Sequence, residues 1–128
     1  MPVATTVDSL GQAQYARVTT YRRDGRAVPT PLWVVRDGDA IAVWTPRDSG
    51  KVKRIRRRGA VLVGPCDFRG NLLGDEVPAT AVILDAEGTA RVRDLLGRKY
   101  GLVGRLTIWG SRIRRGTAGT VAIRITLD

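Results

Sequence analysis

The segment that decides the fold is Trp44-Thr-Pro-Arg-Asp-Ser-Gly-Lys-Val-Lys-Arg-Ile-Arg-Arg-Arg58, in which an apolar strand-like run turns into a basic helix. Residues 47–58 carry seven basic side chains and one acid, a local balance of +6 against +10 for the whole chain. A turn that opens a helix presents free backbone N–H groups, and the helix dipole favours an anion beside them. The segment therefore predicts an anion site, and we interpret the rest of the chain as its scaffold.

Length and composition predict an ordinary globular protein. The chain has 128 residues, of which 43% are hydrophobic and 27% charged, so we expect a single domain over residues 1–128. No apolar run approaches the roughly 20 residues that a membrane span needs. The first residues lack the basic flank and apolar stretch of a signal peptide. We therefore expect a cytoplasmic protein with no membrane association.

The missing residue types exclude several chemistries. The sequence has no histidine, which removes histidine-based nucleophilic schemes and histidine general bases. Its single cysteine, Cys66, has no partner for an internal disulfide and no accompanying base, so we interpret it as a small buried thiol. The acidic residues show no metal-ligand spacing, and we assign no metal site. If the protein is an enzyme, a bound cofactor is expected to supply the chemistry.

Alternating β-branched and aromatic residues predict short strands joined by tight turns such as Asp24-Gly25. Predicted strands cover Tyr15–Arg22, Val28–Arg36, Ala40–Thr45, Ala60–Cys66, Pro78–Asp85 and Thr120–Leu127. Predicted helices cover Val7–Gln14, the basic segment, Glu87–Tyr100 and Leu102–Arg115, with Gly101 as a C-cap between the last two and a break at Gly116–Gly119. This order favours a mainly β fold, an antiparallel barrel with peripheral helices, over a doubly wound sheet.

Residue spacing on the basic helix indicates which side chains serve the anion site, although a solvated surface is the simpler alternative. Lys51, Arg54 and Arg58 stand at i, i+3 and i+7, so the pattern predicts that they share a face. Val52 and Ile55 are expected to anchor the helix in the core. The hydroxyls of Thr45 and Ser49 and the small Gly50 precede that face. Hydroxyls, helix N–H groups and cations together favour phosphate as the anion.

Two tryptophans on consecutive predicted strands have two interpretations. Packing is the simpler one for Trp33 and for Trp44 individually. Because both lie near the predicted phosphate site, they can also line a slot for a flat heterocycle. Tyr100 and Trp109 are interpreted as packing residues.

Four sequence elements occur in a fixed order along the chain: Val18-Thr-Thr-Tyr-Arg-Arg-Asp-Gly25, Pro29-Thr-Pro-Leu-Trp33, Val43-Trp-Thr45 with Asp48-Ser-Gly-Lys-Val-Lys-Arg54, and Arg98-Lys-Tyr-Gly101. In this order and spacing the chain resembles the split-barrel flavin and deazaflavin oxidoreductases, the pyridoxamine-phosphate-oxidase-like superfamily. The match is closest to its F420-dependent branch and extends from about Tyr15 to Leu127.

The resemblance implies a homodimer of six-stranded antiparallel split barrels with two cofactor sites at the dimer interface. It implies that Thr45, Ser49 and Lys51 grip the cofactor phosphate. Arg54, joined by Lys53 and Arg58, would reach toward phosphate or an acidic glutamyl tail. Trp33 and Trp44 would lie on the strands that border the ring, and Gly50 permits close backbone approach.

Departures from the family pattern narrow the expected activity. Pyridoxamine-phosphate oxidases carry arginine and lysine where this chain has Pro29 and Val34, and they need a histidine that this chain lacks. The basic cluster suits F420, which adds an acidic oligoglutamate tail, better than FMN. We therefore hypothesise an F420-dependent reductase that passes hydride to a small electrophilic substrate. An FMN enzyme of the same fold and a non-catalytic F420-binding or carrier protein are the alternatives, and a nucleic-acid-binding role is disfavoured because no recognition motif accompanies the charge.

Overall fold

The computed structural model describes the backbone of residues 5–115 and 119–128 and the side chains of residues 5–101 and 119–128. The elements in chain order are α1 (Val7–Gln12), β1 (Tyr15–Tyr21), β2 (Ala27–Asp37), β3 (Ala40–Pro46), α2 (Gly50–Arg57), β4 (Ala60–Cys66), β5 (Val77–Ile83), α3 (Ala86–Arg115) and β6 (Thr120–Leu127). All six predicted strands and the predicted helices are present. Their ends differ from the predictions by one or two residues, and α1 begins after Thr6, which caps it together with Ser9.

The six strands form a closed barrel in the order β1-β2-β3-β6-β5-β4, and every neighbouring pair is antiparallel. The β1–β4 pairing, from Tyr15 opposite Cys66 to Thr19 opposite Leu62, closes the sheet on itself. Closure gives every strand two neighbours and removes the exposed edges of an open sheet. The predicted mainly β fold, a six-stranded antiparallel barrel with peripheral helices, is therefore confirmed.

Alternation along the strands separates two apolar clusters. Inward-facing residues such as Val34, Val43 and Ile123 fill the barrel together with Ile55 of α2. Outward-facing residues such as Val35 and Ala122 pack instead against Val92 and Leu96 of α3. Because successive strand residues point to opposite sides, a shift of one residue along the chain moves a side chain from the barrel interior to the surface beneath α3.

Two prolines lie inside β2 where the strand has one partner. Pro29 pairs with Thr19 and Pro31 with Arg17 on β1, whereas the β2–β3 pairing begins at Val34. Proline has no N–H to donate, so it is tolerated where one side of a strand is unpaired. This local arrangement explains how the strand accommodates both prolines.

Helix α3 changes direction at Gly101, whose φ of 62° and ψ of −139° are not helical. A positive φ favours glycine because that residue has no Cβ. The predicted boundary between two helical stretches is thus correct, although Gly101 forms a kink within α3. The predicted packing role of Trp109 and residues 116–118 of the predicted break fall outside the described residues. Within the described part of the chain, no helix is long and apolar enough to cross a membrane.

Candidate anion site on the basic helix

Two buried side chains fix the basic helix α2 on the barrel. Val52 is fully buried, and Ile55 is 4% exposed and packs into the barrel core. The remaining side chains of the helix are half-buried or exposed, and all of them except Gly50 are basic. The predicted apolar anchors are therefore confirmed, and the helix presents its charge to the solvent side.

The turn before α2 brings two hydroxyls together. Thr45, at the inward-facing end of β3, is 1% exposed, and its Oγ1 lies 3.4 Å from Oγ of Ser49. Ser49 is the N-cap of α2, but its side chain makes no capping hydrogen bond, and its backbone N–H donates to the carbonyl of Pro46. The Ser49 hydroxyl therefore makes no capping bond to the helix backbone, and it contacts the buried hydroxyl of Thr45 instead.

Gly50 allows an arginine to fold back over the first turn of α2. A Cβ atom at this position would lie 2.6 Å from Nη1 of Arg54. The same guanidinium donates from Nε to Oγ1 of Thr20 at 2.7 Å. Thr20 on β1 therefore anchors Arg54. The Arg54 guanidinium lies across the start of α2, in space that is open because Gly50 has no side chain.

The environment at the start of α2 disfavours the charged forms of Lys51 and Arg54. Burial, followed by the charge of Arg54, lowers the pKa of Lys51. Burial, followed by the charges of Arg22 and Arg57, lowers the pKa of Arg54. Partial desolvation and like charges both disfavour the charged form. A bound anion would relieve both effects, which is the electrostatic signature expected of an anion site.

The prediction that Lys51, Arg54 and Arg58 share one face of α2 is wrong for Arg58. The helix ends at Arg57, and Arg58 has φ −147° and ψ 110°. Its guanidinium lies 4.6 Å from the centre of the Tyr21 ring, a cation–π contact. The i+7 position counted from Lys51 therefore lies beyond the helix, and Arg58 turns toward β1.

Four residues of α2 line an open depression of about 460 Å³ instead: Gly50, Lys53, Arg54 and Arg57. They stand at i, i+3, i+4 and i+7, which is the spacing of one helix face. The structure thus places Gly50, Lys53 and Arg54 on one side of α2. It adds Arg57, whose Nη2 donates to the carbonyl of Tyr21 at 2.7 Å.

The opposite wall of this depression comes from the β1–β2 hairpin, through Arg22, Arg23, Asp24 and Arg26. The predicted tight turn is present, because Gly25 has φ 89° and its N–H donates to the carbonyl of Arg22. The sequence did not indicate that these arginines lie beside α2. The Asp24-Gly25 turn signals a hairpin, but which end of a barrel meets which helix depends on long-range strand pairing.

A second depression, of about 590 Å³, lies on the other side of Ser49. It is lined by Pro46, Arg47, Asp48, Ser49 and Gly119, and the backbone N–H of Arg47 donates to the carbonyl of Gly119. Ser49 lines this mixed depression, whereas the lining of the basic depression includes the next residue, Gly50.

The two tryptophans lie on the outer side of the sheet, whereas Thr45 faces inward. Trp33 stacks on Tyr100 of α3, with ring centres 4.4 Å apart and an angle of 7° between the planes. Trp44 packs in the same outer cluster, and its Nε1 is buried without a hydrogen-bond partner. The packing interpretation thus accounts for the contacts of Trp33, while a role for either ring beside a cofactor stays a prediction.

Lys99 and Tyr100 tie α3 to the start of the barrel. Lys99 Nζ lies 2.5 Å from the carbonyl of Ala13 and 2.6 Å from that of Val34. The Tyr100 hydroxyl lies 2.6 Å from the carbonyl of Gln14 and 2.8 Å from that of Val34. Burial lowers the pKa of Lys99 to about 8 and, as the largest cause, raises that of Tyr100 to about 12. These polar contacts join α3 to the segment before β1 and to β2, and the sequence did not predict them.

The lowered pKa of Lys99 predicts that the stability of the fold depends on pH. Its pKa is lower in the folded chain than in the unfolded chain, so the cost of burying the ammonium is fully present below about pH 8 and is lost as the pH rises toward 10.5. Each pKa unit corresponds to about 1.4 kcal/mol. In urea unfolding, we expect the free energy of unfolding of the native chain to rise by about 1–3 kcal/mol relative to that of Lys99→Met when the pH is raised from 7 to 10. Parallel pH profiles for the two proteins would contradict the assignment.

Three solved structures share this fold at low sequence identity. A protein from Listeria innocua provisionally described as a pyridoxamine 5′-phosphate oxidase matches with a TM-score of 0.66 and 15% identity, over 95% of this chain and 90% of its own. A protein named F420 reductase matches with a TM-score of 0.61 and 17% identity, over 98% and 96%. HutZ, described as a heme storage protein from Vibrio cholerae, matches with a TM-score of 0.64 and 13% identity, over 91% and 83%.

No protein-family model and no curated protein sequence matches the chain. The structural matches show the fold alone: the chain has the split-barrel fold that these proteins share, as the sequence resemblance implied. The three proteins carry three different descriptions, so the fold alone does not select a ligand.

Proposed function

We propose that the protein is an F420-dependent oxidoreductase that passes hydride from the reduced deazaflavin to a small electrophilic organic substrate. The observation that carries this proposal is the start of α2, where the Ser49 hydroxyl does not cap the helix, Gly50 has no side chain, and burial lowers the pKa of both Lys51 and Arg54. The shared fold of a protein named F420 reductase supports it.

The residues at the turn fit the phosphate of such a cofactor. Ser49 supplies a hydroxyl that does not cap the helix, and Lys51 and Arg54 supply charge. Backbone N–H groups of the first helical turn have no partner within the helix and favour an anion. Thr45 is buried behind Ser49 and orients it. Arg58 is not part of the proposed site, because its guanidinium lies over Tyr21.

In this proposal the bound cofactor supplies the hydride, and the chain supplies binding, orientation and charge. Holding donor and acceptor in one geometry lowers the entropic part of the barrier without any nucleophile from the protein. Tyr100 is not the proton donor, because its hydroxyl is held by backbone carbonyls. We propose that a second copy of the chain completes the ring site, since the described surface around Ser49 is open.

Binding measurements with pure cofactors test the proposal. We expect F420 to bind with at least about tenfold higher affinity than FMN, which is about 1.4 kcal/mol, because only F420 brings additional carboxylates to the basic surface. Tight FMN binding without F420 binding would transfer the assignment to a flavin enzyme of the same fold. Sedimentation velocity with and without F420 tests the second copy, and a monomer that binds F420 fully would exclude it from the site.

Turnover separates an enzyme from a carrier. In stopped-flow measurements, the bound reduced cofactor is expected to be oxidised by one or more members of a panel of enones, quinones and nitro compounds. Oxidation by none of them, together with tight F420 binding, would favour a carrier protein.

A further inference from the structure

Lys99 is an amine whose surroundings give it two hydrogen-bond acceptors and no counter-ion. It is one of three lysines in the chain, with Lys51 and Lys53. Its Nζ lies 2.5 Å from the carbonyl oxygen of Ala13 and 2.6 Å from that of Val34. Within the described part of the chain, Lys99 forms no ion pair. The proposed function does not use this side chain.

The hydrogen bonds of Lys99 match a neutral amine better than an ammonium ion. A neutral amine has two N–H groups and one lone pair, whereas an ammonium ion has three N–H groups and no lone pair. The carbonyl oxygens of Ala13 and Val34 therefore satisfy every N–H of the neutral form. Among the described residues, the third N–H of the charged form has no acceptor. Because a carbonyl oxygen cannot donate, the lone pair of the neutral amine points away from both carbonyls and stays free.

The titratable groups around Lys99 do not favour the charged form either. The hydroxyl of Tyr100 is held by backbone carbonyls, and burial, the largest cause, together with Tyr15 of β1 raises its pKa to about 12, so Tyr100 is neutral at physiological pH. The preceding Arg98 is exposed and paired with Asp94. The centre of the Tyr100 ring lies 5.2 Å from Nζ, a weak attraction that does not replace a counter-ion.

Burial increases the population of the neutral amine. It lowers the pKa of Lys99 to about 8, from an ordinary value of 10.5. At pH 7 this difference raises the neutral fraction by a factor of about 300. Lys99 is only half-buried, so it keeps contact with solvent. A desolvated, neutral lysine is the form that acts as a nucleophile.

We propose that Lys99 is an acylation site that accepts a small activated acyl group from an acyl phosphate or an acyl thioester. The lone pair of the amine attacks the acyl carbonyl carbon, and the bond from that carbon to the leaving group breaks. The phosphate or thiolate leaves with the electron pair of that bond, and the amine loses one proton to solvent and becomes an amide. The reaction needs no oxidant or reductant, and it is independent of the proposed function because it uses no cofactor.

Acylation changes how α3 is attached to the barrel. The amide product has one N–H where the neutral amine has two, and it carries no charge. It can therefore donate to only one of the carbonyls of Ala13 and Val34. Modification removes one of the two contacts by which this side chain joins α3 to the segment before β1 and to β2.

The three lysines allow the proposal to be tested within one protein. The folded chain is treated with acetyl phosphate at pH 7, and acetylation of each lysine is followed by peptide mass spectrometry. We expect Lys99 to react at least about tenfold faster than Lys53 because its neutral fraction is larger. Lys53 is the matched control, since it is exposed on α2. In denaturing urea the two rates are expected to become similar, and a reaction at Lys99 no faster than at Lys53 in the folded chain would overturn the proposal.

The pH profile gives a second test. The acetylation rate of Lys99 is expected to rise about tenfold per pH unit at low pH and to level off above about pH 8, at the pKa of the amine. A rate that keeps rising up to pH 10 would contradict the proposal. Lys99→Arg keeps a hydrogen-bond donor without a reactive amine, so the fast phase of total acetylation should disappear. A fast phase that persists in Lys99→Arg belongs to another amine and refutes the assignment.

A parallel reaction with an S-acetyl thioester distinguishes the two acyl donors. Faster transfer from acetyl phosphate supports a phosphate-activated donor, and faster transfer from the thioester supports a thioester donor. If neither reagent acetylates Lys99 in the folded chain, the acylation site is refuted.

Discussion

Replacing Lys51 or Arg54 with alanine is expected to weaken F420 binding by at least about tenfold, or roughly 1.4 kcal/mol. Both cations are partly desolvated, and the charge of Arg54 adds to burial in lowering the pKa of Lys51. A bound phosphate interacts more strongly with partly desolvated cations than with fully hydrated ones, because water screens the attraction less. Fluorescence titration with F420 measures the change.

Arg56→Ala is the control for this experiment, since it removes one charge from an exposed position of the same helix. We expect it to change the affinity by less than about twofold, because exposed charges contribute little at physiological salt. If all three variants lose affinity equally, the helix acts only through its net charge. If neither Lys51→Ala nor Arg54→Ala weakens binding by about tenfold, the proposed phosphate grip is wrong.

Trp33→Ala is expected to lower the free energy of unfolding by about 3 kcal/mol. The substitution removes a large ring that stacks on Tyr100 and packs with the outer cluster beneath α3. Stacked aromatic pairs contribute about 0.5–1.5 kcal/mol beyond the apolar area they bury. Trp33→Phe keeps an aromatic ring at this position, so we expect it to retain most of the stability. Urea unfolding measures both variants.

The same variants distinguish the two interpretations of Trp33. If the ring only packs against α3, Trp33→Phe retains F420 affinity as well as stability. A loss of affinity in Trp33→Phe at near-native stability would place the ring beside the cofactor. Destabilisation by Trp33→Ala of less than about 1 kcal/mol would contradict the packing described here.

Local sequence patterns predicted the elements of this fold well. Alternation, β-branched residues and short apolar runs identified all six strands, and the Asp24-Gly25 pair and Gly101 marked a hairpin turn and a change of helix direction. Val52 and Ile55 were identified as the buried side of α2 because apolar residues in a run of charges have few other roles. These signals depend on neighbours within a few residues, which the sequence displays directly.

Contacts between distant segments were harder to predict. The pairing of Thr20 with Arg54 and the convergence of the hairpin arginines on α2 depend on barrel closure. The Lys99 contacts to the carbonyls of Ala13 and Val34 depend on where α3 docks. Arg58 was placed on the wrong face because the helix ends one residue earlier than the spacing assumed. Helix ends are set by capping and tertiary contacts rather than by periodicity.

A crystal structure of the protein with bound F420 tests the central claim most directly, because it locates the cofactor phosphate. We predict phosphate oxygens within hydrogen-bonding distance, about 2.7–3.2 Å, of the Ser49 hydroxyl and the Lys51 ammonium. A phosphate bound away from the start of α2, with Ser49 and Lys51 making no contact to it, would contradict the account.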